Sequence, residues 1–235
     1  CSSDLNGTGN SAANTLIGNA GANTLSGLGS ADTLDGGEGF DLLYGEDGND
    51  WLYGSSGGPA DELIGGLGDD RYIVVRPDDL IVESADQGWD MVVATCSLYL
   101  TANVERLQIE GIGDFYGVGN ELDNFVIGNE GANLLIAGGG NDWISGLDGN
   151  DAAFGETGDD IMIGGAGTNK YFGQLGFDWA SHASTNPGVT ADMMNLLFTP
   201  PSVATSPATV MERYAQTESL SGSRNADILR GDDEV

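Results

Sequence analysis

A nine-residue repeat runs through most of this 235-residue chain. Residues 9–73 hold seven copies, each with Asn or Asp at the sixth position and most with glycine at the first. The sixth copy carries two extra residues. Residues 119–181 hold seven more copies, and a third block begins at Gly222. A period of nine excludes a helix or a coiled coil, whose hydrophobic residues recur about every 3.6 or 3.5 residues.

Each repeat is predicted to form a six-residue turn followed by a three-residue strand. Strand side chains alternate between the two faces, so only the eighth residue of the repeat has to face a core. Glycine supplies the turn because it adopts positive φ without steric cost. The predicted core residues are Leu16, Leu25, Leu34, Leu43, Leu52, Leu63 and Tyr72 in the first block and Val126, Leu135, Ile144, Ala153, Met162, Tyr171 and Ala180 in the second.

The chain is strongly acidic, with 37 Asp and Glu against 7 Lys and Arg and a formal charge of −30. Nucleic acid and anionic membranes are excluded as partners because both require a basic surface. So large a charge repels itself in a compact chain unless cations neutralise it. Disorder is disfavoured because 40% of the residues are hydrophobic. No apolar run reaches the roughly 18 residues of a membrane span.

Two glycine-poor stretches separate the repeat blocks. The first is rich in β-forming residues, and in the second the run 193–198 fits either a helix or a strand. The predicted organisation is a first block at 1–73, a β-rich spacer at 74–116, a second block at 117–181, a spacer at 182–219 and a truncated third block at 220–235.

The turns suit calcium. Ca²⁺ takes about 6–8 oxygen ligands, from carboxylates and carbonyls, at about 2.3–2.6 Å. A glycine-rich turn exposes several carbonyls in a small space, and the Asp beside it adds negative charge. One turn cannot supply all the ligands, so a second turn has to face it.

The repeats resemble the G-G-x-G-x-D-x-U-x nonapeptide of the RTX (repeats-in-toxin) family. Residues 36–44, GGEGFDLLY, match that pattern at every defined position. The intervening segments, such as 88–92, resemble the spacers of large RTX proteins. The resemblance implies an all-β fold: a right-handed parallel β-roll (a β-solenoid) with calcium-binding turns, in tandem blocks joined by β-rich spacers.

The resemblance also implies where several Ca²⁺ ions bind. Two repeats make one coil in that family, and the ion lies between a repeat and the second one after it. Asp151 would then face the uncharged Asn169, which predicts a weaker site, and the Asn-led repeats at each block entrance are weaker candidates too. Ser30 replaces an expected glycine. The implied ligand residues are Asp32, Gly37, Gly39, Asp41, Gly48, Asp50, Asp61, Gly66, Gly68, Asp70, Gly140, Asp142, Gly149, Asp151, Gly158, Asp160, Gly167, Asn169, Asp178 and Asp227.

No enzyme activity is expected of this chain. Its single histidine, His182, follows Ser181 and lies four residues after Asp178, but neighbours in sequence rarely form a triad. No His-Glu-x-x-His motif occurs in the sequence, and its Gly-x-Ser-x-Gly match, at residues 54–58, lies within the turn of a nonapeptide repeat. The glycine runs lead into no Lys-Ser/Thr helix, which argues against phosphate binding.

The resemblance implies export through a type I exporter of a Gram-negative cell, and folding by Ca²⁺ outside it. We expect a structural or adhesive module of a large secreted or surface protein, with calcium ions and cell-surface or matrix components as partners. The alternative is the folding and secretion tail of an exported protease, lipase or polysaccharide epimerase. Cys1 fits either a lipoprotein terminus or the end of a fragment, and spacing gives no support to a disulfide with Cys96.

Overall fold

The computed structural model describes residues 4–181 and the backbone of four short strands at 189–192, 210–215, 219–221 and 228–230. All regular structure in these residues is β, and the strands pair in parallel. No helix in the described part of the chain is long and apolar enough to cross a membrane. The chain divides into two compact units, Cys1–Glu110 and Gly111–Val235.

The first unit is built from two parallel sheets that the chain visits in alternation. One sheet contains β1 (Leu5–Asn10), β3 (Asn23–Gly29), β5 (Leu42–Asp47), β7 (Glu62–Leu67) and β9 (Leu80–Val82) in that order. The other contains β2 (Thr15–Ile17), β4 (Thr33–Asp35), β6 (Trp51–Tyr53), β8 (Arg71–Val74), β10 (Met91–Ala94) and β12 (Arg106–Ile109). A separate short strand, β11, spans Leu98–Tyr99.

The second unit repeats this architecture. One sheet holds β13 (Tyr116–Val118), β15 (Leu134–Gly139), β17 (Ala152–Thr157) and β19 (Lys170–Leu175), followed by β22 (Val210–Ala215), β21 (Val189–Asp192) and β24 (Ile228–Arg230). The other holds β14 (Phe125–Ile127), β16 (Trp143–Leu147), β18 (Ile161–Gly164), β20 (Trp179–Ser181) and β23 (Ser219–Ser221).

The strand register shows that two nonapeptides make one coil. Leu34 on β4 pairs with Leu52 on β6, and Ile144 on β16 pairs with Met162 on β18. Each partner is two repeats further along the chain. Eighth-position residues therefore stack on one another inside the coil, and the predicted parallel β-solenoid is confirmed.

The core consists of the eighth-position residues, as predicted. Leu34, Leu52 and Met162 are each 0% exposed. Leu16 is the exception and is only half-buried, because it lies on β2, at the edge of its sheet, where no earlier strand covers it. All the other predicted core residues are buried.

The coil continues past the first repeat block. Met91 on β10 lies in register with Arg71 on β8, and Val92 and Leu107 are buried like the eighth-position leucines before them. β9, β10 and β12 thus add strands to the same two sheets. The predicted boundaries between blocks and spacers stay predictions.

Candidate metal centre

Most of the repeats that follow the Asn-led ones have left-handed backbone at the second and fourth positions of the turn. Gly37 and Gly39, at these positions of one repeat, have φ of 89° and 117°. Every glycine that the sequence assigned to a metal site has positive φ, namely Gly37, Gly39, Gly48, Gly66, Gly68, Gly140, Gly149, Gly158 and Gly167. The predicted turn geometry is therefore present at each of them.

The fourth-position glycine also lets successive turns stack closely. A Cβ on Gly158 would collide with the carbonyl of Gly140, the fourth-position residue of the repeat two before it. Gly167 stands in the same relation to Gly149. Backbone carbonyls of neighbouring coils consequently approach within the turn edge, where a cation requires oxygen ligands.

The second position tolerates other residues, although its φ stays positive. Leu28, Glu46, Leu147, Glu156 and Gln174 all lie there with φ between 67° and 82°. Left-handed backbone costs such residues about 1–2 kcal/mol each. The stacked turns therefore hold strain that the rest of the fold has to offset.

The sixth-position carboxylates form two ladders in the first unit, one along each edge. In one ladder, Asp50 Oδ1 accepts a hydrogen bond from the backbone N–H of Asp32 at 2.7 Å, and Asp70 Oδ1 accepts one from Asp50 at 2.7 Å. In the other, Asp61 Oδ1 accepts from the N–H of Asp41 at 2.9 Å. These are the residue pairs that the resemblance implied.

The second unit has the same ladders. Asp160 Oδ1 accepts from the N–H of Asp142 at 2.9 Å, and Asp178 Oδ1 accepts from that of Asp160 at 3.0 Å. The mixed pair is also formed, because Asn169 Oδ1 accepts from the N–H of Asp151 at 2.9 Å. An amide oxygen can thus replace a carboxylate in this bond.

The Asn-led repeats enter the ladders in the same way. Asn14 donates its backbone N–H to Asp32 Oδ1 at 2.6 Å, and Asn124 donates to Asp142 Oδ1 at 2.6 Å. At Asn23 the side-chain amide also donates to Asp41 Oδ1 at 2.7 Å. An amide donor therefore lies against the carboxylate at this entrance, a contact that competes with a cation.

The second oxygen of most ladder carboxylates has no donor. Six of these Oδ2 atoms face the first-position glycine of their own repeat. Asp61 differs, since its Oδ2 accepts from the N–H of Ser55, in the repeat with the insertion, at 2.9 Å. The buried Oδ2 atoms without a hydrogen-bond partner in the repeats belong to Asp32, Asp41, Asp50, Asp70, Asp142, Asp151 and Asp160.

These buried oxygens fit a hard cation. A buried carboxylate oxygen without a partner is costly, and a cation bound between two coils would remove that cost. The donors are carboxylates and carbonyls, which are the ligand types of Ca²⁺ and Mg²⁺ rather than of soft metals. The structure thus supports coordination of a cation by oxygen atoms at the turn edges, independently of the sequence resemblance.

A family model for the RTX calcium-binding nonapeptide repeat matches the chain four times, at residues 8–43, 28–59, 118–152 and 145–180. The two blocks are RTX repeats. Such repeats bind Ca²⁺, so calcium is the cation that the ladders are built for. A search of curated proteins found no match to this chain.

Burial raises the pKa of several carboxylates in the RTX repeats. The pKa of Asp70 rises to about 8, and those of Asp142 and Asp160 rise to about 7 and about 6. Loss of solvation is the largest cause in each case, and like charges of neighbouring carboxylates add to it for Asp70 and Asp142. A bound cation would favour the charged form and lower these pKa values again.

The ladders of the first RTX block extend into the following segment, which sequence reasoning missed. Asp79 Oδ1 accepts from the N–H of Asp61 at 3.0 Å, and Asp90 Oδ1 accepts from that of Asp70 at 2.8 Å. Glu105 Oε2 then accepts from the N–H of Asp90 at 2.7 Å.

A signal for these acids was present in the sequence. Each stands two residues before a buried hydrophobic residue, the spacing of the sixth and eighth positions of an RTX repeat. The three pairs are Asp79 with Ile81, Asp90 with Val92, and Glu105 with Leu107. Of the turn glycines only Gly88, two residues before Asp90, is present there, so the repeat pattern did not include these acids.

Several sequence-based expectations fall on residues that the structure does not describe. Asp227, the ligand expected in the third block, lies outside the described residues, and so does His182. Asp178 is fully buried in a ladder, which is the position expected of a metal ligand rather than of a triad acid. Cys96 is a free, half-buried thiol, and Cys1 lies outside the described residues.

Proposed function

We propose that this chain is a calcium-triggered structural or adhesive module of a large secreted or cell-surface protein. The observation that carries the proposal is the pairing of buried carboxylates between successive coils, as in Asp50 and Asp70. Each pair provides negative charge beside stacked turn carbonyls. RTX repeats bind Ca²⁺, and these pairs are the places where the chain offers it ligands.

The proposed ligands are the sixth-position side chains together with carbonyls of the turns. Pairs of two Asp residues, such as Asp142 with Asp160, are the strongest repeat sites. The pair of Asp151 and Asn169 has one charge fewer and binds more weakly. Asn-led entrances are held mainly by their amide and backbone hydrogen bonds.

Calcium is required for folding because the core of each coil is thin. Each short strand contributes about one fully buried side chain, such as Leu52 on β6. Burial of this kind stabilises a coil by only a few kcal/mol (about 25 cal/mol per Å² of apolar area). The ladders meanwhile place carboxylates of a chain with charge −30 next to one another. Ca²⁺ removes the repulsion, and its binding free energy becomes folding free energy.

Export in an unfolded state follows from this coupling. Low calcium inside a Gram-negative cell would keep the roll open for a type I exporter, and calcium outside would close it. Extracellular calcium modules bind with Kd of about 10⁻⁴–10⁻³ M. Tryptophan fluorescence during a calcium titration should therefore show a folding midpoint in that range. A midpoint below about 10⁻⁶ M, where cytosolic buffers bind, would contradict a trigger that acts outside the cell.

A second candidate function is the folding and secretion tail of an exported hydrolase or epimerase. The repeated succession of RTX block and glycine-poor segment favours the structural module, because a tail needs no such duplication. In either case the roll is a calcium-binding scaffold, and this chain should be inactive on protein, ester and polysaccharide substrates. The full-length sequence discriminates the two, since a catalytic domain beside the roll would support the tail.

A further inference from the structure

Three carboxylates converge where the first RTX block ends. Asp70 belongs to the last repeat of that block, Glu83 directly follows β9, and Asp90 directly precedes β10. One ligand oxygen from each lies within 4.8 Å of the other two. Two oxygens bound to one Ca²⁺ at about 2.4 Å can be at most about 4.8 Å apart. The spacing therefore allows one ion to contact all three.

The cluster contains buried oxygens that no donor satisfies. Asp70 is 2% exposed, and its Oδ2 has no hydrogen-bond partner. Glu83 Oε2 is likewise buried without one, while Glu83 Oε1 accepts a hydrogen bond from the Tyr72 hydroxyl. Oxygen atoms are thus aimed into a closed space without the donors that a carboxylate requires.

The space itself lies over Gly65. A side chain at this position would meet Asp70 Oδ2, the Tyr72 hydroxyl and Glu83 Oε1 together. Three oxygens from three different residues thus surround one small region beside the backbone. In five other repeats, the corresponding region at the first-position glycine is approached by that repeat's own ladder carboxylate, as Asp50 approaches Gly45.

The charged groups with the largest effect on this cluster are all acidic. Burial is the largest cause of the raised pKa of both Asp70 and Asp90. The negative charges of Asp50 and Glu83 raise the pKa of Asp70 further, and that of Glu83 raises the pKa of Asp90 further. Repulsion of this kind is relieved by a proton or by a cation. A divalent cation can neutralise two of the charges while it satisfies the unpartnered oxygens, which one proton cannot do.

We propose that Asp70, Glu83 and Asp90 bind a Ca²⁺ ion that joins the first RTX block to the segment that follows it. This site differs from the repeat pairs because Glu83 comes from a segment without the nonapeptide pattern. It rests on the proposed function in one respect, since Asp70 is also a member of the last repeat pair. With three carboxylates instead of two, it binds calcium more tightly than the repeat sites.

The ion has a structural consequence. Glu83 follows β9 on one sheet, and Asp70 and Asp90 precede β8 and β10 on the other. An ion held by all three ties the end of the repeat block to both sheets of the next coil. Residues 80–109 lack the full nonapeptide pattern, so this ion links them to the RTX block through carboxylates outside that pattern.

The test counts bound calcium by equilibrium dialysis of the full chain at the lowest free calcium that fills this tighter site in the wild type, below the concentration that saturates the repeat sites. Glu83→Gln removes one charge and keeps the shape of the side chain. Asp90→Asn also removes one charge and keeps the Oδ1 acceptor for the Asp70 N–H, as Asn169 does for Asp151. Glu110→Gln is the control, because Glu110 is an exposed glutamate outside the cluster in the same unit.

The proposal predicts one ion fewer per chain in each cluster variant than in the wild type, with affinity at this site reduced about tenfold or more, and an unchanged count in the control. Circular dichroism in calcium checks that each variant is folded, and either cluster variant alone suffices. An unchanged count in a folded Glu83→Gln or Asp90→Asn chain would overturn the three-carboxylate site and leave the repeat sites standing. A wild-type chain that binds no calcium would instead overturn the proposed function.

Discussion

The backbone N–H of Asp50 donates a hydrogen bond to Oδ1 of Asp70 at 2.7 Å, while Oδ2 of Asp70 is buried without a donor. The two oxygens of one carboxylate thus have different tasks. Oδ1 sets the register between successive coils, and Oδ2 is left for a cation. The same division recurs at Asp160, whose Oδ1 accepts from Asp142 and whose Oδ2 has no partner.

This division predicts that amide and alanine substitutions at Asp151 have different effects. Asp151→Asn keeps an oxygen for the N–H of Asn133, which donates to Oδ1 at 2.9 Å, but weakens calcium binding. Asp151→Ala loses both and leaves a buried N–H unsatisfied, which costs about 1–3 kcal/mol. Urea unfolding at fixed millimolar calcium should rank the alanine variant below the asparagine variant by that amount. Equal stability of the two variants would show that the hydrogen bond from the Asn133 N–H does not stabilise the fold.

A second prediction separates the fourth position of the turn from the second. Gly158→Ala places a Cβ against the carbonyl of Gly140 at φ of 129°, so it should destabilise the second unit by at least about 2 kcal/mol. Leu147→Gly, at φ of 67°, should instead stabilise it by about 1 kcal/mol, because the leucine is 44% exposed and strained.

The measurement for both is the melting temperature in saturating calcium. We expect the melting temperature to fall for Gly158→Ala and to rise for Leu147→Gly. Equal and small shifts for the two variants would mean that the glycine pattern reflects composition rather than the geometry of the stacked turns.

Much of the fold could be predicted from the nonapeptide period, and the structure departs from that prediction at particular residues. The period identified the core residues, and it was wrong about full burial only at Leu16, which has no preceding coil to cover it. It also anticipated the pairing of Asp50 with Asp70. These features depend on the turn and strand residues that are present in the sequence of each repeat.

The extension of the ladders was not predictable from the glycine pattern. Asp79, Asp90 and Glu105 continue the ladders because their strands stack on the roll, although their turns keep only one of the pattern's glycines, Gly88. Glu83 was missed for a different reason. It reaches Asp70 only through the coil geometry, 13 residues along the chain, and no motif marks it.

A third prediction concerns pH in calcium-free protein. The pKa of Asp70 is raised to about 8 and that of Asp142 to about 7, so the folded chain binds protons more tightly than the unfolded chain. Stability from these groups is fully present below their unfolded pKa of about 4 and is lost as pH rises through the folded values. The β-sheet signal of calcium-free protein should therefore increase as pH falls from about 8 toward about 4.

Calcium should flatten this dependence near neutral pH, because the bound ion keeps the carboxylates charged and compensated. The comparison is a pair of circular dichroism titrations over the same pH range, one without calcium and one with millimolar calcium. Calcium-free protein that loses structure on mild acidification would contradict the direction of the pKa shifts.

The central claim is that Ca²⁺ holds the roll together, and circular dichroism of the full chain with excess chelator and with millimolar calcium tests it most directly. We predict a largely disordered spectrum in chelator and a β-sheet spectrum in calcium, and the β-sheet spectrum should return each time calcium is restored. Identical spectra and identical melting temperatures in the two conditions would contradict it.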